Sequence, residues 1–359
     1  DLCRTAKYNE TTEREKIDMI KRFIVSKDET IYEAWPDVAL TDSGKLLCVF
    51  TECTHHCDRT GVRLVICESA DRGRTWSKKR PLTEKGSNER GFNCPRISKL
   101  QDGRLVIICD MVYNLFGNQS GEQYLWISAN EGQTWSEPTI LPFCGIVPDR
   151  VLQLSCGRLL IAAHLESKET GKREHYLWYS DDNGSTWSDR VILASDPRYQ
   201  LCEASILEKP NGTLVAFLRE NSFQGYPIMK AISHNRGESW EGVFPTPLYC
   251  GHRPVAGFLK DGRVLITYRF IPSDANSMQN TFAALLDPNE LEHTEISKQH
   301  VRVFPLDYDR NPTPDGGYTG WVQFEDGEIY VVNYIKDNSN KAHIRGYSFY
   351  PNDMILCEE

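Results

Sequence analysis

The sequence predicts an all-β fold, a six-bladed β-propeller, and three observations carry that expectation. An eight-residue phrase recurs four times, as SADRGRTW from Ser69, SANEGQTW from Ser128, SDDNGSTW from Ser180 and SHNRGESW from Ser233. A second phrase, apolar strand, glycine turn, apolar strand, recurs six times and puts Gly44, Gly103, Gly157, Gly212, Gly262 and Gly327 at its turns, with spacings of 59, 54, 55, 50 and 65 residues. Helical patterning is scarce beyond the first twenty-odd residues, and a sandwich would not repeat so evenly. A unit of about 55 residues holding four strands is the period of a propeller blade.

In chain order the hairpins read VALTDSGKLLCVF, ISKLQDGRLVIICD, VLQLSCGRLLIAAH, SILEKPNGTLVAFLR, GFLKDGRVLITYR and VQFEDGEIYVVNY. Their turn glycines supply the positive φ that tight turns require, and their flanks are rich in Val, Ile and Leu. Each eight-residue phrase follows an apolar stretch (RLVICES, QYLWIS, HYLWYS or MKAIS), which places it between a blade's third and fourth strands. There Ser and Asp or Asn bond their own backbone, Gly turns left-handed and Trp packs between sheets, a structural role rather than a catalytic one. The segment EREKIDMIKRFIVSKDE is expected to give the last blade its outer strand and close the ring, because an open sheet edge invites aggregation. Residues 1–359 then form a single propeller domain with a short N-terminal extension over about residues 1–20.

Composition limits the partners. The 359 residues are 40% hydrophobic and 25% charged, with a mean hydropathy of −0.48. No apolar run approaches the roughly 18 residues of a membrane helix. A net charge of −9 argues against nucleic acid, which calls for a basic face. The twelve cysteines are scattered through apolar runs and read as buried free thiols, which favours a reducing, cytoplasmic compartment. Cys53 and Cys57 flank His55 and His56, but the second ligand pair of a zinc site is missing. The chain begins at Asp1 without a charged-then-apolar leader, so a signal peptide is expected to be absent or already removed. In the latter case the protein is secreted and the sequons at Asn9, Asn118, Asn183 and Asn211 matter.

The inner strands of a propeller line its central channel, and loops at one end build the pocket. The first strands begin with Trp35-Pro36-Asp37, Pro95-Arg96, Asp149-Arg150, Glu203, His252-Arg253 and Tyr318. The second strands finish on Glu52 with His55, His56 and Asp58, then Asp110, His164 with Glu166, Arg219 with Glu220, Arg269, and Asn333 with Tyr334. Polar groups at repeat-equivalent positions between apolar strands are expected to converge on one site.

The recurring phrases, of the form S-x-D-x-G-x-T-W, resemble the Asp boxes of the sialidase (neuraminidase) superfamily, and with the six hairpins the resemblance covers nearly the whole chain. Asp boxes also occur in lectins, proteases and other propellers, so they speak more to fold than to function. Two stretches are more specific. CEASILEKPNGTLVAFLRE resembles the family segment in which a Glu precedes one strand and an Arg closes the next, here Glu203 and Arg219, and GGYTGWVQFEDGEIYVV resembles the segment of the catalytic tyrosine, here Tyr318. The resemblance implies Tyr318 as nucleophile and Glu203 as its general base. A phenol with a pKa near 10 needs such a carboxylate, and being neutral it avoids driving an anion against an anionic substrate. It places the acid/base on the stretch holding Asp58, with Asp37 and Glu52 nearby, and it requires no metal or cofactor.

This sequence also departs from the family. Glu33-Ala34-Trp35-Pro36 stands where the first carboxylate-binding Arg belongs, Tyr334 stands where its supporting Glu belongs, and the loop FIPSDANSMQNT lacks the third Arg, with only Arg269 at its start. Arg96, Arg150 and Arg253 enter the channel from other blades. Either they join Arg219 and Arg269 around an acidic sugar, with Trp35, Asp37, His55, His56 and His252 lining the pocket, or they pair with Asp37, Asp149 and Glu220. The function expected is a retaining exo-glycoside hydrolase that releases a terminal acidic sugar from a glycan. The alternatives are a polysaccharide lyase, in which His55, His56, His164 or His252 works with a Tyr beside a uronate, and a carbohydrate-binding propeller without turnover.

Overall fold

A computed structural model of the chain describes residues 20–58, 60–86, 90–113, 121–274 and 277–354. Its strands form six antiparallel sheets in sequence order, and these are the six blades. Blade 1 consists of Tyr32–Leu40, Leu46–Cys53, Arg63–Ser69 and Arg80–Pro81. In blade 2 the inner edge is split into Arg90–Phe92 and Arg96–Lys99, both paired with Leu105–Tyr113, and Glu122–Ser128 and Thr139–Cys144 follow. Blade 3 holds Leu152–Gln153, Leu159–Glu166, Arg173–Ser180 and Val191–Ala194, and blade 4 holds Leu201–Glu208, Leu214–Glu220, Pro227–Ser233 and Glu241–Tyr249. Blade 5 runs through Gly251–Phe258, Val264–Phe270, Asn280–Leu286 and Val301–Tyr308.

Blade 6 joins the two ends of the described chain. Its strands Thr319–Gln323, Ile329–Ile335 and His343–Phe349 are completed by Lys21–Ser26, which pairs antiparallel with His343–Phe349 in the register Lys21↔Ser348. The expected closure by the N-terminal segment is thus observed for these residues. The extension over residues 1–19 and the sequons at Asn9 and Asn118 lie outside the described residues.

The apolar residues that gave the hairpins their signal pack at the seams between blades. One cluster joins Ala39, Leu47 and Val49 to Ile97, Ile107 and Trp126 across blades 1 and 2. Another joins Tyr330, Val332 and Ile344 to Val38, Leu46 and Phe50 across blades 6 and 1. Burying apolar surface on both faces of each sheet contributes about 25 cal/mol per Å², so each blade depends on both its neighbours. Among the described cysteines, Cys48, Cys53, Cys67, Cys94, Cys109 and Cys202 are buried, but Cys57 and Cys156 are exposed.

All four recurrent phrases fall between a blade's third and fourth strands and fold alike. In the first, Ser69 donates to Asp71 at 2.8 Å and accepts from the Gly73 amide at 2.8 Å, while Asp71 accepts from the Thr75 amide at 2.9 Å and its hydroxyl at 2.6 Å. Gly73 has φ of +81°, and a Cβ there would lie 2.1 Å from the ring of Tyr330 in blade 6, so only glycine fits. The indole of Trp76 completes the staple by donating to the Gly73 carbonyl at 3.1 Å.

Candidate active site

The inner strands are not regular where polar side chains leave them. Register slips between Ala34 and Asp37 in blade 1, Cys202 and Ala204 in blade 4, and His252 and Val255 in blade 5. At each slip one residue is left-handed, Trp35 at φ 53°, Glu203 at 41° and Arg253 at 52°. A side-chain-bearing residue pays about 1–2 kcal/mol for that conformation, and the paired strand on either side holds it there. A bulge of this kind re-aims a side chain that a regular strand would lay against the seam.

Glu203 and Arg253 meet at Tyr318, the residue before the inner strand of blade 6. Tyr318 is buried, and its hydroxyl donates to Glu203 Oε1. Arg219 Nη1 donates to Glu203 Oε2 at 2.8 Å and to the Tyr318 oxygen at 2.9 Å. The guanidinium carbons of Arg269 and Arg253 lie 4.7 and 5.6 Å from the centre of the Tyr318 ring. Gly317, at φ 94°, lets Arg269 pass, since a Cβ there would sit 2.5 Å from its side chain. Its amide is fixed by Asn333 Oδ1 at 2.9 Å.

Three arginines therefore surround one carboxylate. Burial pushes the Glu203 carboxyl up, but the charges of Arg219, Arg253 and Arg269 and the Arg219 hydrogen bond outweigh it and hold the group far below the usual carboxylate range. Burial and the neighbouring Glu203 charge push the Tyr318 phenol up, against the pull of Arg219 and Arg269. The resting pair is an ionised glutamate accepting from a neutral phenol. Arg253 is 1% exposed, and none of its three guanidinium nitrogens has a hydrogen-bond partner among the described residues. Nε of Arg219 and of Arg269 is in the same state.

The other arginines are differently employed. Arg150 binds both oxygens of Asp37, at 2.8 Å through Nε, and Arg96 lies 3.4 Å from the same carboxylate and donates to the Thr319 carbonyl at 3.1 Å. Asp37, Arg96 and Arg150 thus form the ion-pair arrangement rather than an open clamp. Burial pushes the Asp37 carboxyl up, but Arg150 and Arg96 hold it below its ordinary range. Glu220 accepts from Ser222 and the Gln200 amide, while Asp149 accepts from the Ile206 amide at 3.1 Å.

The histidines fall into two groups. His252 and His164 line the arginine side and are kept neutral: burial, then Arg219 and Arg269, pushes His252 down to about 2, and burial pushes His164 down to about 3. His252 packs 5.1 Å from the ring of Phe223. His56 belongs to a second group, in which its ring packs against Tyr32 and Trp35, and both of these pack against Tyr334. There Asp315 accepts from Tyr32, from Tyr334 at 3.0 Å and from His56 Nδ1 at 3.0 Å. Tyr334 packs on Tyr318 with ring centres 6.1 Å apart. His55 is exposed, and its Nδ1 accepts from the Cys57 amide.

Asp58 stands on that loop with its carboxylate exposed and turned back onto the Thr60 amide at 3.0 Å. Glu52 is buried and ion-paired with Arg63 and Lys79. Sequence reasoning missed Asp315, because TPDGG reads as turn chemistry, and it missed Tyr32, because an aromatic before a strand reads as core. Among the described residues no group of three or more His, Cys, Asp or Glu is placed to hold a metal ion.

Comparison with known proteins agrees with this architecture. Residues 86–278 match the family model described as BNR repeat-like domain. A sialidase of Paraclostridium sordellii is 26% identical over 197 residues, 43% of this chain and 46% of that protein. An anhydrosialidase of Macrobdella decora is 26% identical over 244 residues, 61% of this chain and 30% of that one. The matched region thus spans less than half the length of these relatives. Among solved structures, a protein of unknown function from Dyadobacter fermentans superposes with a TM-score of 0.77 at 22% identity, covering 92% of this chain and 99% of that one. The intramolecular trans-sialidase of Ruminococcus gnavus, in complex with oseltamivir carboxylate, superposes at 0.68 and 15% identity, covering 91% and 96%. At these identities the superpositions speak to fold alone. With the family model matched over more than half its length and its four box turns folded alike, the chain belongs to the BNR repeat-like family of the sialidase superfamily.

Proposed function

We propose that the protein is a retaining exo-glycosidase that releases a terminal acidic sugar, sialic acid or a related keto-acid sugar, with Tyr318 as nucleophile and Glu203 as its base. The observation that carries this is the Tyr318 hydroxyl donating to Glu203 while Arg219 bonds both partners. Attack by the tyrosine oxygen on the anomeric carbon passes the phenol proton to Glu203 as the bond to the leaving oxygen breaks. Water then cleaves the glycosyl-tyrosine, and Glu203 returns the proton, so the configuration is retained.

The acidic substrate is supported by Arg253. A buried guanidinium with unpartnered nitrogens is costly, and a carboxylate is the group that fits it. Arg219, which stands at a family position by motif, would share that carboxylate with Arg253 and Arg269. Its arrival also has a chemical use. A negative charge among the arginines cancels part of the field that keeps Glu203 a weak base, so the substrate raises the affinity of Glu203 for the phenol proton.

A fluorinated sialic-acid probe that traps the covalent intermediate tests this by mass spectrometry. The expected result is one label on the peptide carrying Tyr318 and none in Tyr318→Phe. Absence of label in the folded wild-type protein would overturn the sialic-acid reading. Ultraviolet absorbance appearing on incubation with uronate glycans would instead favour a lyase, a second reading supported by the neutral His164 and His252 beside the arginines.

A further inference from the structure

A retaining glycosidase needs a second group, opposite the nucleophile, to protonate the leaving oxygen and later deprotonate water. The carboxylates expected near that position are otherwise engaged. Asp37 is held by Arg150 and Arg96, Glu52 by Arg63 and Lys79, and Asp58 is exposed with its oxygen on the Thr60 amide.

His56 sits on the same loop, two residues before Asp58. Its Nδ1 lies 3.1 and 3.0 Å from the two oxygens of Asp315 and 3.1 Å from the Tyr32 hydroxyl. The ring stands edge-on to Trp35, with centres 5.2 Å apart. The His56 side chain is 39% exposed against 14% for Asp315, and its Nε2 makes no hydrogen bond among the described residues. Asp315 also ties His56 to the nucleophile, because it accepts from Tyr334, whose ring packs on Tyr318. Burial pushes the Asp315 carboxyl up, but hydrogen bonds from His56 and Tyr32 and the charge of Arg269 keep it ionised. A carboxylate on Nδ1 fixes the tautomer and leaves Nε2 as the nitrogen that gains and loses a proton.

Building on the glycosidase proposed above, we infer that His56, oriented by Asp315, is the proton-transfer group of this site. As the glycosidic bond breaks, its electron pair goes to the leaving oxygen, which takes the proton from Nε2 of the imidazolium. In the second half Nε2 takes a proton from water while the water oxygen bonds the anomeric carbon and the tyrosine oxygen recovers its pair. A cationic donor also suits an anionic sugar, since it adds no like charge beside the substrate carboxylate. Asp315 acts through His56 and is a positioning residue.

The test compares sialyllactose, whose sugar leaving group needs a proton, with a nitrophenyl sialoside, whose leaving group does not. His56→Gln is expected to slow sialyllactose hydrolysis by roughly 10²–10⁴-fold while slowing cleavage of the nitrophenyl bond far less. Azide should restore turnover by giving the glycosyl azide of retained configuration. Asp315→Asn is expected to show the same leaving-group dependence in weaker form. The fluorinated probe, whose fluoride leaves with little help, should still label Tyr318 in both variants and show that the site is folded. Equal losses on the two substrates, no loss on either, or the selective loss appearing in Asp58→Asn instead would overturn the inference alone. A wild-type protein that cleaves neither sialoside would overturn the glycosidase proposal, and this inference with it.

Discussion

Arg253 shows at the scale of one residue how stability and binding are set against each other. Its guanidinium is buried, its backbone is left-handed and its nitrogens have no hydrogen-bond partners among the described residues, so its desolvation is offset by the charges of Glu203 and Asp149 without any hydrogen bond. Arg253→Met should leave the melting temperature equal or higher. It should weaken binding of an acidic sugar by roughly 10–100-fold, the value of one or two charge-assisted hydrogen bonds. Calorimetric titration and thermal scans on the same samples check both halves, and a lower melting temperature with unchanged affinity would make Arg253 a structural residue. Glu203, Arg219 and Tyr318 were legible in the sequence because motifs fix their offsets. Arg253 and Arg269 were named among the candidates too, but their place beside these three was not. The left-handed turns of Trp35, Glu203 and Arg253 are set by the pairing of whole strands, and nothing in a non-glycine residue announces positive φ. Nor does sequence tell a clamp from an ion pair, which is why Arg150 and Arg253 looked alike until Asp37 was seen to hold one of them.

Among the elements, the box turns are the most uniform, and two of them are built on aspartate and two on asparagine. Hydrogen bonds from the Thr75 side chain and amide hold Asp71 down at about 2, and those from Thr186 do the same for Asp182. A depressed carboxyl pKa contributes stability that is present above the unfolded value near 4 and is lost as pH falls through about 2. Asn130 and Asn235 make the equivalent contacts without a titrating group. The double variant Asp71→Asn, Asp182→Asn should therefore lose melting temperature less steeply than the wild type between pH 4 and pH 2. Parallel slopes in scanning calorimetry would show that these turns do not govern acid unfolding. The turns themselves were plain in the sequence, since Ser, Asp or Asn, Gly and Trp each have one local use.

For the molecule as a whole the decisive contact is between Lys21–Ser26 and His343–Phe349. Without it the edge of blade 6 is bare, and Val25 no longer covers the cluster between blades 6 and 1. Deleting residues 1–26 should give a product that associates and melts without a cooperative transition, checked by light scattering and calorimetry. A monodisperse, cooperatively melting product would refute it. The ring was legible from glycine spacing alone, because a repeating supersecondary unit stamps its period on the sequence. Its pocket was less so, for the aspartate that gathers Tyr32, His56 and Tyr334 is separated from Tyr32 by 283 residues. That separation has a consequence for the growing polypeptide. Five blades leave the ribosome before the wall around Asp315 has gained Asp315 and Tyr334, so on the glycosidase reading proposed above a nascent chain cannot turn over a glycan until its sixth blade emerges, and any chain cut short before Tyr318 lacks the nucleophile which that reading assigns.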